Sequence, residues 1–236
     1  MANPSFVYDP PMSPYLDILY QDEAIIVANK PSGLLSVPGK AAAHKDALIN
    51  RVQRVYPSAS VVHRLDMATS GIMIMAMSKD SNRYLSHQFA TRQTQKRYFA
   101  RVKGRMTQPG GMVDLPLICD WPNRPKQMVD HQKGKSSLTY YTVIQRQDNE
   151  TLVALKPVTG RSHQLRVHML ALGHPILGDR LYADAEGKAM APRLQLHAQT
   201  LIIRHPHTQQ WCHFVTPIPF SDYQPPALAL PEYIND

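Results

Sequence analysis

Cysteine is almost missing from this chain. Its 236 residues hold two, Cys119 and Cys212. They lack the short spacing of a metal knuckle or a redox pair, so neither a disulfide framework nor a bound metal is indicated. That usage fits a reducing compartment, and a cytoplasmic location is expected. Long apolar runs are missing too. None approaches the length that spans a bilayer, and Met1–Pro14 has neither the basic start nor the apolar core of a secretion signal. A membrane partner is therefore not expected. Glycine is scarce, 11 against 20 prolines; it forms no glycine-rich linker, and no stretch repeats at a fixed period. The simplest organisation is one domain over residues 15–220, with a proline-rich extension at 1–14 and a proline-rich tail at 221–236. Negative charge is the last shortage: 18 acidic residues face 26 Lys and Arg, a formal charge of +8. A surplus of this sign favours a polyanionic partner, nucleic acid first, although a basic surface also serves solubility alone.

What the chain does have is mostly strand. Apolar, β-rich patterns run through Leu16–Tyr20, Ala24–Asn29, Val61–Leu65, Ile72–Met77, Arg97–Val102, Leu138–Gln145, Thr151–Lys156, Leu194–Arg204 and Gln210–Val215. Helices are predicted at Lys79–Arg92, with Ser78 as N-cap and Leu85 and Phe89 on one face, and at Ser162–Leu172. In the second, Leu165, Met169 and Leu172 follow i, i+4, i+7 spacing, with Ser162 as cap and Gly173 as a left-handed residue past the end. A shorter helix is predicted around Ala43–Val55, and His205-Pro206-His207-Thr208 reads as the hairpin loop between the last two strands. Strands joined by short turns with few helices between them predict an α+β fold on a largely antiparallel, mixed sheet.

Four segments carry candidate chemistry. In Val61-Val62-His63-Arg64-Leu65-Asp66-Met67-Ala68-Thr69-Ser70-Gly71, one carboxylate sits on a loop between apolar segments, where a scaffold presents a reactive group. Taken alone, such an Asp is more often an Asx-turn residue than a reactive one. Gln95-Lys96-Arg97-Tyr98-Phe99-Ala100 sets a tyrosine among cations; alternation puts Tyr98 and Ala100 on one face and Arg97 and Phe99 on the other. Tyr98 could pack, stack on a base or transfer a proton. Pro157 to His168 is a turn leading into the second helix. Arg166 there stands at the border of the apolar stripe, where a guanidinium beside Asp66 would aim it through a bidentate bond and keep it ionised. Arg161 and His163, at the helix start, could meet phosphate or base edges. Ala28 to Gly39 bends at Pro31 and Gly33 with Lys30 at its lip, placed to close over a cleft. No histidine belongs to a metal-ligand motif, and no metal is expected.

Together these segments resemble the RluA family of pseudouridine synthases. The family's His-Arg-Leu-Asp and Thr-Ser-Gly are matched by His63 to Asp66 and by Thr69 to Gly71, and Asn-Lys-Pro-x-Gly by Asn29 to Gly33. Lys-x-Tyr-x-Ala is matched by Lys96 to Ala100, and Thr-Gly-Arg-x-His-Gln-Leu-Arg-x-His by Thr159 to His168. The likeness covers roughly residues 15–220, and four motifs in order make it specific. It implies the pseudouridine synthase fold, Asp66 as the catalytic aspartate, Tyr98 as the tyrosine beneath the target base and Arg166 as the arginine paired with Asp66. His63, Arg64, Thr69, Lys30, Arg161 and His163, which flank these positions in the motifs, are expected to contact the RNA. The 15 residues ahead of the first predicted strand are too few for an S4-like RNA-binding domain. The chain is thus similar to small members acting on 23S rRNA and on tRNA anticodon stem-loops. The expected partner is structured RNA, not DNA, and the expected state is monomeric.

The implied reaction breaks the bond from ribose C1′ to uracil N1, turns the base and rejoins it through C5. No electrons change hands overall, so no cofactor is expected. A carboxylate can attack carbon, or stabilise or deprotonate the ribose, while the base is loose. Extruding a uridine costs a few kcal/mol, to be offset by stacking and phosphate contacts, with Arg64 a candidate to fill the vacated space. The competing classes are a basic RNA chaperone or ribosome-assembly factor, in which Asp66 is structural, and a glycosidase, for which no second acid completes the pair.

Overall fold

The computed structural model describes residues 7–230; Met1–Phe6 of the expected extension and Pro231–Asp236 of the expected tail lie outside them. In chain order the strands are β1 (Ile18–Gln21), β2 (Ile25–Lys30), β3 (Ser60–Val61), β4 (Ser70–Ala76), β5 (Gln95–Lys103) and β6 (Gly110–Asp114). They continue with β7 (Leu117–Cys119), β8 (Gln127–Val129), β9 (Leu138–Arg146), β10 (Glu150–Pro157), β11 (Leu196–Arg204) and β12 (Trp211–Val215). The helices are α1 (Leu48–Gln53), α2 (Lys79–Ala90), α3 (Gln164–Ala171) and α4 (Ala185–Ala189). One mixed sheet runs β1-β2-β4-β11-β5-β10-β9-β6, with β3 added to β4 and β12 to β11. Its pairings are antiparallel except β4 with β11, which run parallel at Ser70↔His197 and Gly71↔Ala198. This is the α+β architecture the sequence predicts. Among the described residues, no helix is long and apolar enough to cross a membrane.

Alternation along the strands builds the core on both faces. In β4, Met73 and Met75 pack with Ile26, Ala28 and with Leu48 and Val52 of α1. Ile72, Ile74 and Ala76 point the other way, to Ile25, Val27, Leu85 of α2 and Leu201. β5 repeats the pattern. Ala100 and Val102 join Leu165 and Met169 of α3, while Phe99 lies under Ile218 and Tyr223 on the opposite face. Arg51, wholly buried on α1, holds residues before the first strand by donating to the carbonyls of Pro11 and Tyr15 while paired with Asp46. Gly71 cannot be replaced in this frame. Its φ of +116° is costly for other residues, and a Cβ would meet the Ala198 carbonyl oxygen at 2.3 Å.

Several boundaries differ from expectation. The Val61–Leu65 strand ends at Val61, because the next residues bond to the Ser36 segment and to β4 rather than to a neighbouring ladder. The Ala43–Val55 helix breaks into a 3₁₀ turn at Ala42–His44 and α1. Helix α2 begins where predicted, the Ser78 hydroxyl oxygen accepting the Ser81 N–H. Ser162 is not the cap of α3: His163 takes that place in the left-handed region, at φ 54°, without a side-chain cap bond. The Gln164 side chain closes the turn instead, accepting from Arg161 N–H and the Thr159 hydroxyl and donating to Leu138 O and Thr139 Oγ1. Gly173 ends α3 at φ +81°, as expected.

Candidate active site

Asp66 stands on the loop from β3 to β4, and a second segment holds that loop in place. Lys30, at the end of β2 and wholly buried, donates from Nζ to Pro31 O (2.9 Å), Leu34 O (2.8 Å) and Met67 O (3.0 Å). Ser32 Oγ donates to Ala68 O, Gly33 N–H to Met67 O, and Ser36 Oγ bridges Leu65 O and Leu65 N–H. Burial pushes the Lys30 pKa down to about 7, opposed by the charge of Asp66. One carbonyl acceptor for each N–H is the geometry of the ammonium form. Lys30 is therefore a pin behind the loop, not a cation at the lip of a cleft. His63 is also turned to structure: its Nε2 accepts the Ile74 N–H at 3.1 Å and its ring stacks on Phe89 at 4.5 Å. Burial, then the charge of Lys96, pushes its pKa down to about 3, so it carries no charge for a phosphate. The Thr69 N–H closes the Asp66 turn on Asp66 O at 3.0 Å, and the residue is buried in the cleft wall.

Arg166 reaches this loop from α3. Nη1 lies 3.4 Å from Asp66 Oδ2, but the bidentate grip goes elsewhere: Nε and Nη2 each donate to an oxygen of Asp179 at 2.7 Å. The Asp179 side chain is fully buried and needs a paired cation, whereas Asp66 stays 29% exposed and receives the nitrogen left over. Burial lowers the Arg166 pKa, but the Asp179 bond and charge, with Asp66, raise it on balance, and the guanidinium stays cationic. Asp179 also accepts the N–H groups of Leu181 and Tyr182. That places the Tyr182 ring 5.0 Å from the Arg166 guanidinium and its hydroxyl 2.7 Å from His163 Nδ1. His163 Nε2 is 3.9 Å from Asp66 Oδ2. Burial lowers the His163 pKa, partly offset by Asp66, which favours the neutral ring.

These groups open onto one cleft whose walls include Arg64, Asp66, Thr69, Lys96, Tyr98, Arg161, His163 and Arg166. Tyr98 comes up from β5. Burial first, then the charge of Asp66, raises its pKa well above the usual phenol range, so the resting site presents a neutral ring and an O–H. Arg64 and Arg161 are exposed at the rim, Arg161 tied by Nε to Ser136 O. Of the residues the sequence singles out, Asp66, Tyr98, Arg166, Arg64, Thr69, Arg161 and His163 meet at the cleft, while Lys30 and His63 lie behind it. Asp179 and Tyr182 were missed. The one signal was Gly178-Asp179 directly after the apolar Ile176-Leu177, a pattern that also describes an ordinary turn.

A carboxylate beside a buried arginine, above a tyrosine and under a cationic rim, suits chemistry on a nucleoside sugar inside a polyanion. Residues 24–171 match the RNA pseudouridylate synthase family. The chain belongs to that family. It is 58% identical to the dual-specificity RNA pseudouridine synthase RluA of Salmonella typhimurium over 214 residues, covering 90% of this chain and 98% of that protein. The RluA of Escherichia coli strain K12 matches at the same identity and coverage, and that of Pasteurella multocida at 52%. Among solved structures it resembles human RNA pseudouridylate synthase domain containing 1, with TM-score 0.74 and 28% identity over 93% of this chain and 88% of that one. Human RNA pseudouridylate synthase domain containing 4 follows, with TM-score 0.71, 28% identity and coverage of 86% and 89%. As a pseudouridine synthase the chain is an isomerase acting on RNA.

Proposed function

We propose that this synthase isomerises specific uridines in 23S rRNA and in tRNA anticodon stem-loops, as a cytoplasmic monomer, with Asp66 as the nucleophile. The carrying observation is the placement of Asp66 Oδ2 at 3.4 Å from Arg166 Nη1 in a cleft shared with Tyr98. The dual specificity is supported by relatives that bear it in their names and match nearly end to end. The two unpaired cysteines fit the reducing compartment.

In this reading the target uridine leaves its stack, at a cost of a few kcal/mol, and lies over Tyr98. Stacking of about 1–3 kcal/mol per base and phosphate contacts at rim cations such as Arg161 offset that cost. Asp66 bonds to C1′ as the C1′–N1 bond breaks, with the uracil leaving as its N1 anion, and is displaced again when C5 attacks C1′. The base turns, C5 joins C1′, N1 gains a proton, and the C5 proton leaves. Restored conjugation of the ring drives that last loss, so a base as weak as water suffices. Arg64 fills the space left in the stem-loop.

RNA labelled with tritium at uridine C5 tests the reading. Wild-type enzyme is expected to release tritium with the RNA chain intact, Asp66→Asn to release none, and Arg64→Ala to be slow on folded stem-loops. Free uracil would identify a glycosidase. Binding without release, unchanged by Asp66→Asn, would identify a chaperone.

A further inference from the structure

His163 and Tyr182 form a short hydrogen-bonded chain whose polarity is fixed at one end. The backbone N–H of Gln127 can only donate, and it donates to Tyr182 Oη at 2.7 Å. With that oxygen already accepting, the phenol proton goes to its other partner, His163 Nδ1, also at 2.7 Å. An imidazole that accepts at Nδ1 and is neutral carries its proton on Nε2. That nitrogen points into the cleft, 3.9 Å from Asp66 Oδ2, too far for a direct hydrogen bond. The residue holds this pose from a left-handed backbone, φ 54°, uncommon for a side chain other than glycine and recurrent at functional sites.

The space beside Nε2 and Asp66 thus has a donor on one side and a carboxylate on the other. A carbonyl oxygen can satisfy the donor but is repelled by the carboxylate. A hydroxyl satisfies both, accepting from Nε2–H and donating to Asp66. Within an RNA strand the 3′ and 5′ oxygens of the target nucleotide are esterified, so its one free sugar hydroxyl is the 2′-OH, next to C1′. We infer that His163 binds the 2′-hydroxyl of the flipped uridine through Nε2–H, and that Tyr182 is a positioning residue that fixes the tautomer presenting this donor. The contact reads the one group that distinguishes a ribonucleotide from a deoxyribonucleotide at the reacting sugar. This inference rests on the isomerase reading.

Two measurements test it. Nitrogen-15 NMR of the RNA-free protein is expected to show His163 protonated on Nε2 in the wild type and a tautomer mixture in Tyr182→Phe, which keeps the ring over Arg166. A proton on Nδ1 in the wild type, or an unchanged spectrum in the variant, would overturn the assignment. The second is a cycle with stem-loops carrying 2′-deoxyuridine at the target. Loss of the contact should slow single turnover by about tenfold for the wild type and by roughly half as much or less for Tyr182→Phe, whose tautomer mixture keeps only part of the Nε2–H form. His163→Gln, whose amide N–H₂ stands near the Nε2 position and needs no tautomer, should make the enzyme indifferent to Tyr182→Phe. Glutamine already tolerates such a backbone here, at Gln209 with φ 61°. No deoxy penalty in the wild type would refute the ribose contact, and equal penalties in wild type and Tyr182→Phe would refute the positioning role of Tyr182. Absence of tritium release from the wild type on all-ribose RNA would sink the isomerase reading itself, and the ribose contact with it.

Discussion

Asp179 grips Arg166 from behind, its two oxygens each 2.7 Å from Nε or Nη2, and so decides which nitrogen is left for Asp66. A guanidinium shared this way stays charged and aimed without forming a tight pair with Asp66. The Arg166 side chain is only 5% exposed, so losing its main counter-ion leaves a buried charge underpaired. Asp179→Asn puts an amide N–H₂ where an acceptor stood, and Arg166 is then drawn onto Asp66. The variant should be destabilised by about 3–5 kcal/mol in urea and lose at least tenfold in kcat. Wild-type stability and turnover together would show that something other than Asp179 holds the arginine.

Lys30 gives a second prediction, about a loop rather than a charge. Lys30→Met fills similar volume but strands the carbonyls of Pro31 and Leu34, each at a cost of about 1–3 kcal/mol if no water reaches it, and leaves Met67 O with the Gly33 N–H alone. Since Met67 adjoins Asp66, the loop should loosen where the nucleophile sits. The expected signature is a lower kcat with KM within about twofold, because the rim cations Arg64 and Arg161 are untouched. A rise in KM with kcat intact would return Lys30 to RNA binding.

Much of this was legible from residue patterns. Strands with unbroken apolar runs, such as Ile72–Met77 and Thr151–Lys156, signal themselves because both faces are buried. Strands β6, β7 and β8 did not, since Pro109-Gly110-Gly111, Pro116 and Pro125 read as turns and only pairing with β9, or with each other, makes them extended. In the site, the motifs found Asp66, Tyr98 and Arg166 but not direction. A lysine or histidine letter does not say whether the side chain faces solvent or a carbonyl, and so Lys30 and His63 were read as RNA contacts. The bidentate partner of Arg166 was likewise invisible, because an aspartate after glycine usually marks a turn.

Buried neutral histidines predict acid sensitivity. His197 is 2% exposed, with Nδ1 bonded to Ser70 Oγ and Nε2 to Thr216 Oγ1, and burial followed by the charge of Arg193 pushes its pKa from 6.5 to about 3. It lies on β11 opposite Ser70, at the one parallel pairing of the sheet, so its charging disturbs the strand that carries Gly71. The unfolded chain protonates first as pH falls below 6.5. The stabilisation is therefore complete above that pH and is lost on the way down to about 3, at about 1.4 kcal/mol per pH unit for a fully buried ring. His63 shifts the same way but is only partly covered, so the larger share belongs to His197. Urea unfolding should show about 2 kcal/mol lost to His197 between pH 6.5 and 5. His197→Gln, which cannot take up a proton there, should be less stable at pH 7 yet flatter toward acid. An equally steep acid slope in that variant would move the sensitivity to another group.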